Sequence, residues 1–349
     1  MRVVITMPVY EDWESAALMC QAINDELANV AGIQVTLIMT DDGSTTKISN
    51  SFAARDYENL EAVRLLRLRR NLGHQRAIAV ALAFIQQNVP CDAVIVMDAD
   101  GEDRPADIPR LLNAFRASTS AETIFVERGR RIEGLAFKTY YQIYRFFHFV
   151  LTGRGIRFGN FSLIPAEHLA SIVAFPELWN HYAAALLRSG LPYSTLRGDR
   201  GYRLRGESRM NFVSLFIHGL SALFASYEVV STRLLVATGV ISALTLLVIL
   251  SVVLLHSLAH FSVSGWITEL GALSLLITLE LVTAAFSIVF SVMMNRNNLG
   301  FLPLRDYSFF VAGCSEICSH EHFQHSGPEH FQHSEKDLHI VTEARNAAR

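Results

Sequence analysis

Acidic residues gather at three points of the sequence: Pro8-Val9-Tyr10-Glu11-Asp12, Asp41-Asp42-Gly43-Ser44 and Asp98-Ala99-Asp100-Gly101-Glu102-Asp103. Carboxylates two residues apart suit a hard divalent cation with oxygen ligands, shared with a diphosphate. Such a cation would act as a Lewis acid on a departing nucleotide diphosphate. A lone Asp-x-Asp is common in loops, and Asp or Ser can simply cap a helix. Here Val94-Ile95-Val96-Met97 runs directly into the motif, so the pair emerges from a buried strand. Three acidic strand ends in one stretch favour a ligand site over three caps.

The elements that must hold these groups are legible as short apolar runs alternating with helical patterns. Strands are expected at Val3–Met7, Val35–Thr40, Val63–Leu68, Ala93–Met97 and Thr123–Val126. Helices are expected at Trp13–Val30, Arg76–Gln87, Pro105–Ala117, Phe137–Leu151 and Trp179–Ser189. That alternation predicts an α/β domain with a mainly parallel sheet. In such sheets ligands bind off the carboxyl ends of the strands, where the acidic runs stand.

The chain has 349 residues, 51% apolar and 18% charged, with a formal net charge of −3 and a mean hydropathy of +0.27. Disorder is excluded by this composition, and the charge argues against a nucleic-acid partner. Cys20, Cys91, Cys314 and Cys318 are too few for a disulfide scaffold and read as reduced thiols. The opening MRVVITMPVYED reads as a strand, without the pattern of a signal peptide.

The apolar excess is concentrated at Leu234–Leu255, which has no charged residue, and Leu270–Met294, which has one ionisable residue, Glu280. Each is about as long as a bilayer core requires. The connection between them carries no Lys or Arg, whereas Arg233, Arg296 and Arg305 flank the pair. The positive-inside rule then puts both ends in the cytoplasm. Before the spans, Phe212, Leu215, Phe216, Leu220, Leu223, Phe224 and Tyr227 recur at helical spacing, the pattern of an amphipathic helix in the lipid interface. The expected division is a catalytic domain over 1–210, the amphipathic helix over 211–232, a membrane hairpin over 233–295 and a largely flexible cytoplasmic tail over 296–349. That tail repeats EHFQHS at Glu321–Ser326 and Glu329–Ser334. With Cys314, Cys318, His320 and His322 it offers metal-ligand types, but no hydrophobic frame, so a flexible polar segment is the expectation.

Taken in order and spacing, PVYED, DDGS, RNLGHQRA and MDADGEDRP resemble a family 2 glycosyltransferase with a GT-A fold. The resemblance covers the first 230 residues, and the two spans extend it to the polyprenyl-phosphate glycosyltransferases of the bactoprenol glucosyltransferase and dolichol-phosphate mannose synthase type. Arg203-Leu204-Arg205-Gly206-Glu207-Ser208-Arg209 is similar to that branch's RxxGxSK segment. The resemblance implies that Pro8, Tyr10, Asp12, Asp42 and Ala99 line the nucleotide pocket. It also implies that Asp98, Asp100 and Glu102 hold Mg²⁺ or Mn²⁺, and that Arg128 and Arg131 meet phosphate oxygens. Arg203, Arg205 and Arg209 would close over the diphosphate, for which guanidinium forks are suited. The implied partners are a nucleotide-sugar donor, a polyprenyl-phosphate acceptor and the inner-membrane bilayer, with self-association left open.

Two positions depart from the family pattern. Relatives usually carry Asn-Glu where this chain has Glu11-Asp12. The branch's GDFRL segment is here Gly159-Asn160-Phe161-Ser162-Leu163, so the position often assigned to an acceptor-side base is an amide. A lipid phosphate needs no base, because its second pKa is about 6, whereas a sugar hydroxyl does. His181 and Glu177 are the only other base candidates. The expectation is therefore an inverting transferase to polyprenyl phosphate. The alternatives are transfer to a hydroxyl of a glycolipid or polysaccharide, and a degenerate membrane scaffold.

Overall fold

The structure, a computed structural model, describes residues 1–48, 52, 57–118, 120–128, 135–153, 159–205, 219–221, 223, 226–259, 265–296 and 300–319. Eight strands among them form one sheet: β1 (Arg2–Val9), β2 (Gln34–Asp41), β3 (Ala62–Leu68), β4 (Ala93–Val96), β5 (Thr123–Arg128), β6 (Ser162–Pro165), β7 (Tyr193–Gly198) and β8 (Val311–Ser319). Their order is β7-β5-β6-β4-β1-β2-β3-β8. The centre, β4-β1-β2-β3, is parallel. β6 runs antiparallel between β4 and β5, and β8 closes the far edge antiparallel to β3.

Helices cover both faces, which is why the central strands read as unbroken apolar runs. Val3, Ile5, Met7 and Val9 of β1 point to one side, into a core with α1 (Trp13–Leu27) and α3 (Ile108–Ala117). Val4 points to the other side, into a core with α2 (His74–Asn88), α5 (Ala166–Ile172) and α6 (Tyr182–Ser189). Between β5 and β6 runs α4 (Leu135–Thr152).

Beyond the domain come α7 (Tyr227–Ala259) and α8 (Gly265–Arg296). Within them Tyr227–Leu258 and Ile267–Val292 are long and apolar enough to cross a membrane, with mean hydropathies of 2.6 and 2.2. Half of the amphipathic segment expected over 211–232 falls outside the described residues; 219–221 and 223 within it are helical. Its end, from Tyr227, is already the first turn of α7.

The expected tail needs correcting. Residues 300–319 are not a flexible continuation: they form a helical turn (Pro303–Asp306) and then β8, which pairs with β3 from Ala62↔Ser319 to Leu68↔Val311. Phe301 and Phe310 stack on Trp179 at 3.7 and 5.2 Å between ring centroids. Tyr307 accepts a hydrogen bond from Asn88 of α2. Although nine residues long, VAGCSEICS is rich in small and polar residues and carries little apolar signal, because an edge strand is covered on few sides. The EHFQHS repeats lie outside the described residues.

Candidate active site

The Asp98–Asp103 turn follows β4 directly and is held by its own side chains. Asp103 accepts from the Asp98 N–H at 2.8 Å, and Asp100 Oδ1 from the Glu102 N–H at 3.0 Å. Gly101 sits at φ +91°, a left-handed conformation that a side chain rarely adopts. Across this turn lies the segment after β7: the Gly201 N–H bonds to Glu102 O and the Leu204 N–H to Asp100 O, both at 2.9 Å. The contact is so close that a Cβ on Gly201 would stand 2.1 Å from Gly101 O.

This segment carries the arginines. Arg203 reaches Asp100 with Nη1 and Asp12 with Nη2, each at 3.3 Å. Arg200 pairs with Glu102, and Arg104 with Asp199 at 3.0 Å. Asp12 at the end of β1 and Asp100 after β4 thus share one cation. Burial, together with the neighbouring Asp98 and Glu102 charges, pushes the Asp100 carboxyl above its usual range.

Behind Asp98 stands a polar group from the start of α2 and the turn before β6. His74 Nε2 lies 3.1 Å from Asp98 Oδ1 and 2.9 Å from Asn160 Nδ2. It has Asp98 to donate to when protonated and the Asn160 amide to accept from when neutral. Burial opposes the charged ring, but the Asp98 carboxylate, with Asp100 and Asp103 beyond it, carries the His74 pKa above the ordinary histidine value.

Two acidic residues serve the framework. Asp42, buried at 3% exposure, accepts from the Leu72 and Gly73 N–H groups at 2.7 and 2.9 Å, so it fixes the loop that presents His74. Burial raises its pKa against the pull of those two hydrogen bonds. Glu11, at φ 54°, clamps the backbone and hydroxyls of Thr45 and Thr46. These bonds hold its pKa down at about 2.

Of the expected site residues, Asp12, Asp98, Asp100, Asn160 and Arg203 come together. Pro8 is buried in β1, Tyr10 is exposed beside it, and Ala99 lies within the acidic turn. Glu102 faces Arg200. Arg205 is exposed, and its carbonyl accepts from Arg203 Nε at 3.2 Å. Arg128 ends β5 opposite Gly198; Arg131 and Arg209 lie outside the described residues. His181 caps α6, and Glu177 pairs with Arg188 at 3.2 Å. His74 and Gln75 lie within the RNLGHQRA motif but were given no role of their own from sequence, and Arg200 was not singled out. The strand-end rule applied to β3 would have given the first two a place in the site, since Gly73-His74-Gln75 opens the helix after that strand.

Among the described residues no three His, Cys, Asp or Glu side chains form a ready metal-holding group. Asp98 and Asp100 fit a partial site, in which crowded carboxylates would supply two anionic ligands and a diphosphate and waters the rest, the usual manner of Mg²⁺.

Residues 4–165 match the family model described as Glycosyl transferase family 2. The chain carries a family 2 glycosyltransferase domain. Its mixed sheet with acidic strand ends is of the GT-A type. Among curated relatives, the undecaprenyl-phosphate 4-deoxy-4-formamido-L-arabinose transferase of Photorhabdus laumondii is 27% identical, over 72% of this chain and 77% of that protein. The bactoprenol glucosyl transferase of Shigella phage SfX is 23% identical, over 66% and 82%. Among solved structures, the glucosyl-3-phosphoglycerate synthase of Mycobacterium tuberculosis, in complex with Mn²⁺, UDP-glucose and phosphoglyceric acid, has a TM-score of 0.46 at 12% identity, covering 66% of this chain and 79% of that one. The chain thus resembles, in sequence, proteins whose names specify undecaprenyl phosphate or bactoprenol.

Proposed function

We propose that the protein is a membrane-anchored inverting glycosyltransferase that moves a sugar from a nucleotide-diphosphate sugar to polyprenyl phosphate. The observation that carries this reading is the meeting of Asp12 and Asp100 on Arg203 at the carboxyl ends of β1 and β4, with Asp98 beside Asp100 in the same acidic turn. A diphosphate placed there would take Arg203 as a ligand in exchange for its carboxylate partners. A divalent cation bound by Asp98 and Asp100 would neutralise charge on the leaving diphosphate as the glycosidic bond breaks. Asn160 supplies no base, which an ionised phosphate acceptor does not require. The names of the curated relatives support the same acceptor.

The membrane reading draws on α7, α8 and α4. Phe146, Phe147 and Phe149 on α4 are each more than half exposed. Arg233 of α7 donates to Val150 O at 2.6 Å, tying this aromatic stretch to the start of the first apolar helix. Exposed aromatics continuous with a membrane helix suit the lipid interface. There the site would meet an isoprenoid phosphate, with the domain on the cytoplasmic side.

The test is transfer of labelled sugar, from a panel of UDP- and GDP-sugars, to undecaprenyl phosphate by purified protein with Mn²⁺ or Mg²⁺. An acid-labile product extractable into organic solvent is expected. Asp98→Asn should lower turnover at least about a hundredfold with the thermal transition retained. Transfer to a free hydroxyl without lipid phosphate, or a fully active Asp98→Asn, would overturn the reading.

A further inference from the structure

Position 160 carries an amide, and its direction is set by atoms that leave no choice. The backbone N–H of Tyr182, in a fully buried residue, can only donate. The Gln75 atom facing it at 2.6 Å is therefore Oε1. Gln75 Nε2 is then turned to Asn160 at 3.2 Å, and the Asn160 atom that receives it is Oδ1. Asn160 must present its NH₂ group on the other side, 3.3 Å from Asp98 Oδ1 and 2.9 Å from His74 Nε2. Flipping either amide would set donor against donor at Tyr182 or Gln75, or acceptor against acceptor at Asp98, where unsatisfied polar groups are costly; His74 Nε2 accepts from the same NH₂ only as the neutral ring.

We propose that Gln75 and Asn160 form a directional amide relay, anchored on the Tyr182 N–H, that positions the Asp98 carboxylate by donating a hydrogen bond to it. Asn160 is thus a positioning residue with the opposite polarity to a base. A carboxylate at 160 would still accept from Gln75 but would turn a second negative oxygen toward Asp98. Gln75 and Asn160 are matched to each other: a Glu at 75 would keep the bond from Tyr182 and lose the one to Asn160. The catalytic consequence rests on the proposed transfer reaction, whereas the relay itself does not.

The test uses the full-length protein with Asn160→Asp, Gln75→Glu and the double variant. In the wild type the side-chain amide of Asn160, followed by ¹⁵N NMR without substrate, should exchange slowly with solvent. Gln75→Glu should abolish that protection while the Tyr182 backbone amide keeps its own. With undecaprenyl phosphate as acceptor, each single variant should lower kcat about tenfold or more, with donor KM changed less than about threefold. The double variant, which sets two carboxylates against each other beside Asp98, should lose more than the product of the single losses, the non-additivity of groups in one network. An unprotected wild-type Asn160 amide, or protection that survives Gln75→Glu, overturns the relay even if the enzyme is active. Gain of turnover in Asn160→Asp, or additive losses, overturns its role at Asp98. A wild type with protected amides and no transfer would instead sink the proposed function.

Discussion

Arg203 holds two carboxylates from different strand ends, at 3.3 Å each, and so occupies the charge role that a bound cation and diphosphate would redistribute. Removing it has opposite effects on two measurable steps. Arg203→Gln should bind Mn²⁺ alone more tightly, because a competing internal cation is gone. The same variant should transfer sugar about tenfold or more slowly, because a charged donor to the diphosphate is lost. Electron paramagnetic resonance of Mn²⁺ and steady-state turnover read the two separately. Weaker Mn²⁺ binding with unchanged turnover would show that Arg203 serves the framework alone.

The segment from Asp199 to Arg205 has little secondary structure of its own, yet it is fastened to the acidic turn by two backbone hydrogen bonds and three ion pairs. Close approach depends on Gly201, so Gly201→Ala should push the segment off the turn. About tenfold lower turnover and a raised donor KM are expected, with the thermal transition little changed; normal kinetics would disprove the close fit. The five strands expected from sequence all formed, and acidic groups stood at the ends of β1, β2 and β4, because apolar runs and strand-end loops are written locally. What stayed illegible was not local. β6 and β7 are short, β8 is an exposed edge, and the Gln75–Asn160 contact joins residues 85 positions apart. In α8, Glu280 is exposed, and Thr283, Ser287 and Ser291 bond to carbonyls of their own helix. An ionisable residue in a span favours a polar partner from another helix. Glu280→Leu should therefore weaken self-association on native gels; unchanged assembly would remove that role.

On the scale of the whole molecule, β8 makes the catalytic sheet discontinuous in sequence, with both apolar helices inserted between β7 and β8. Whatever those helices cross, the chain before α7 and the chain after α8 lie on one side of it. Ending the protein after Arg296 would bare the β3 edge and unstack Phe301 and Phe310 from Trp179. Its thermal transition should fall by about 5 °C or more, with aggregation. Ending it after Ser319 should leave the transition in place. Equal behaviour of the two truncations would show that β8 adds nothing to the domain.

The same return strand has a consequence during synthesis. When β1–β7 have left the ribosome, the edge of β3 still lacks its partner, and that partner is translated only after both apolar helices. An open edge is a template for pairing with other chains. Final closure of the sheet is thus deferred until both apolar helices have been made. A ribosome stalled between the two helices would carry an unfinished sheet, so completion of the domain waits on synthesis of the whole helical pair.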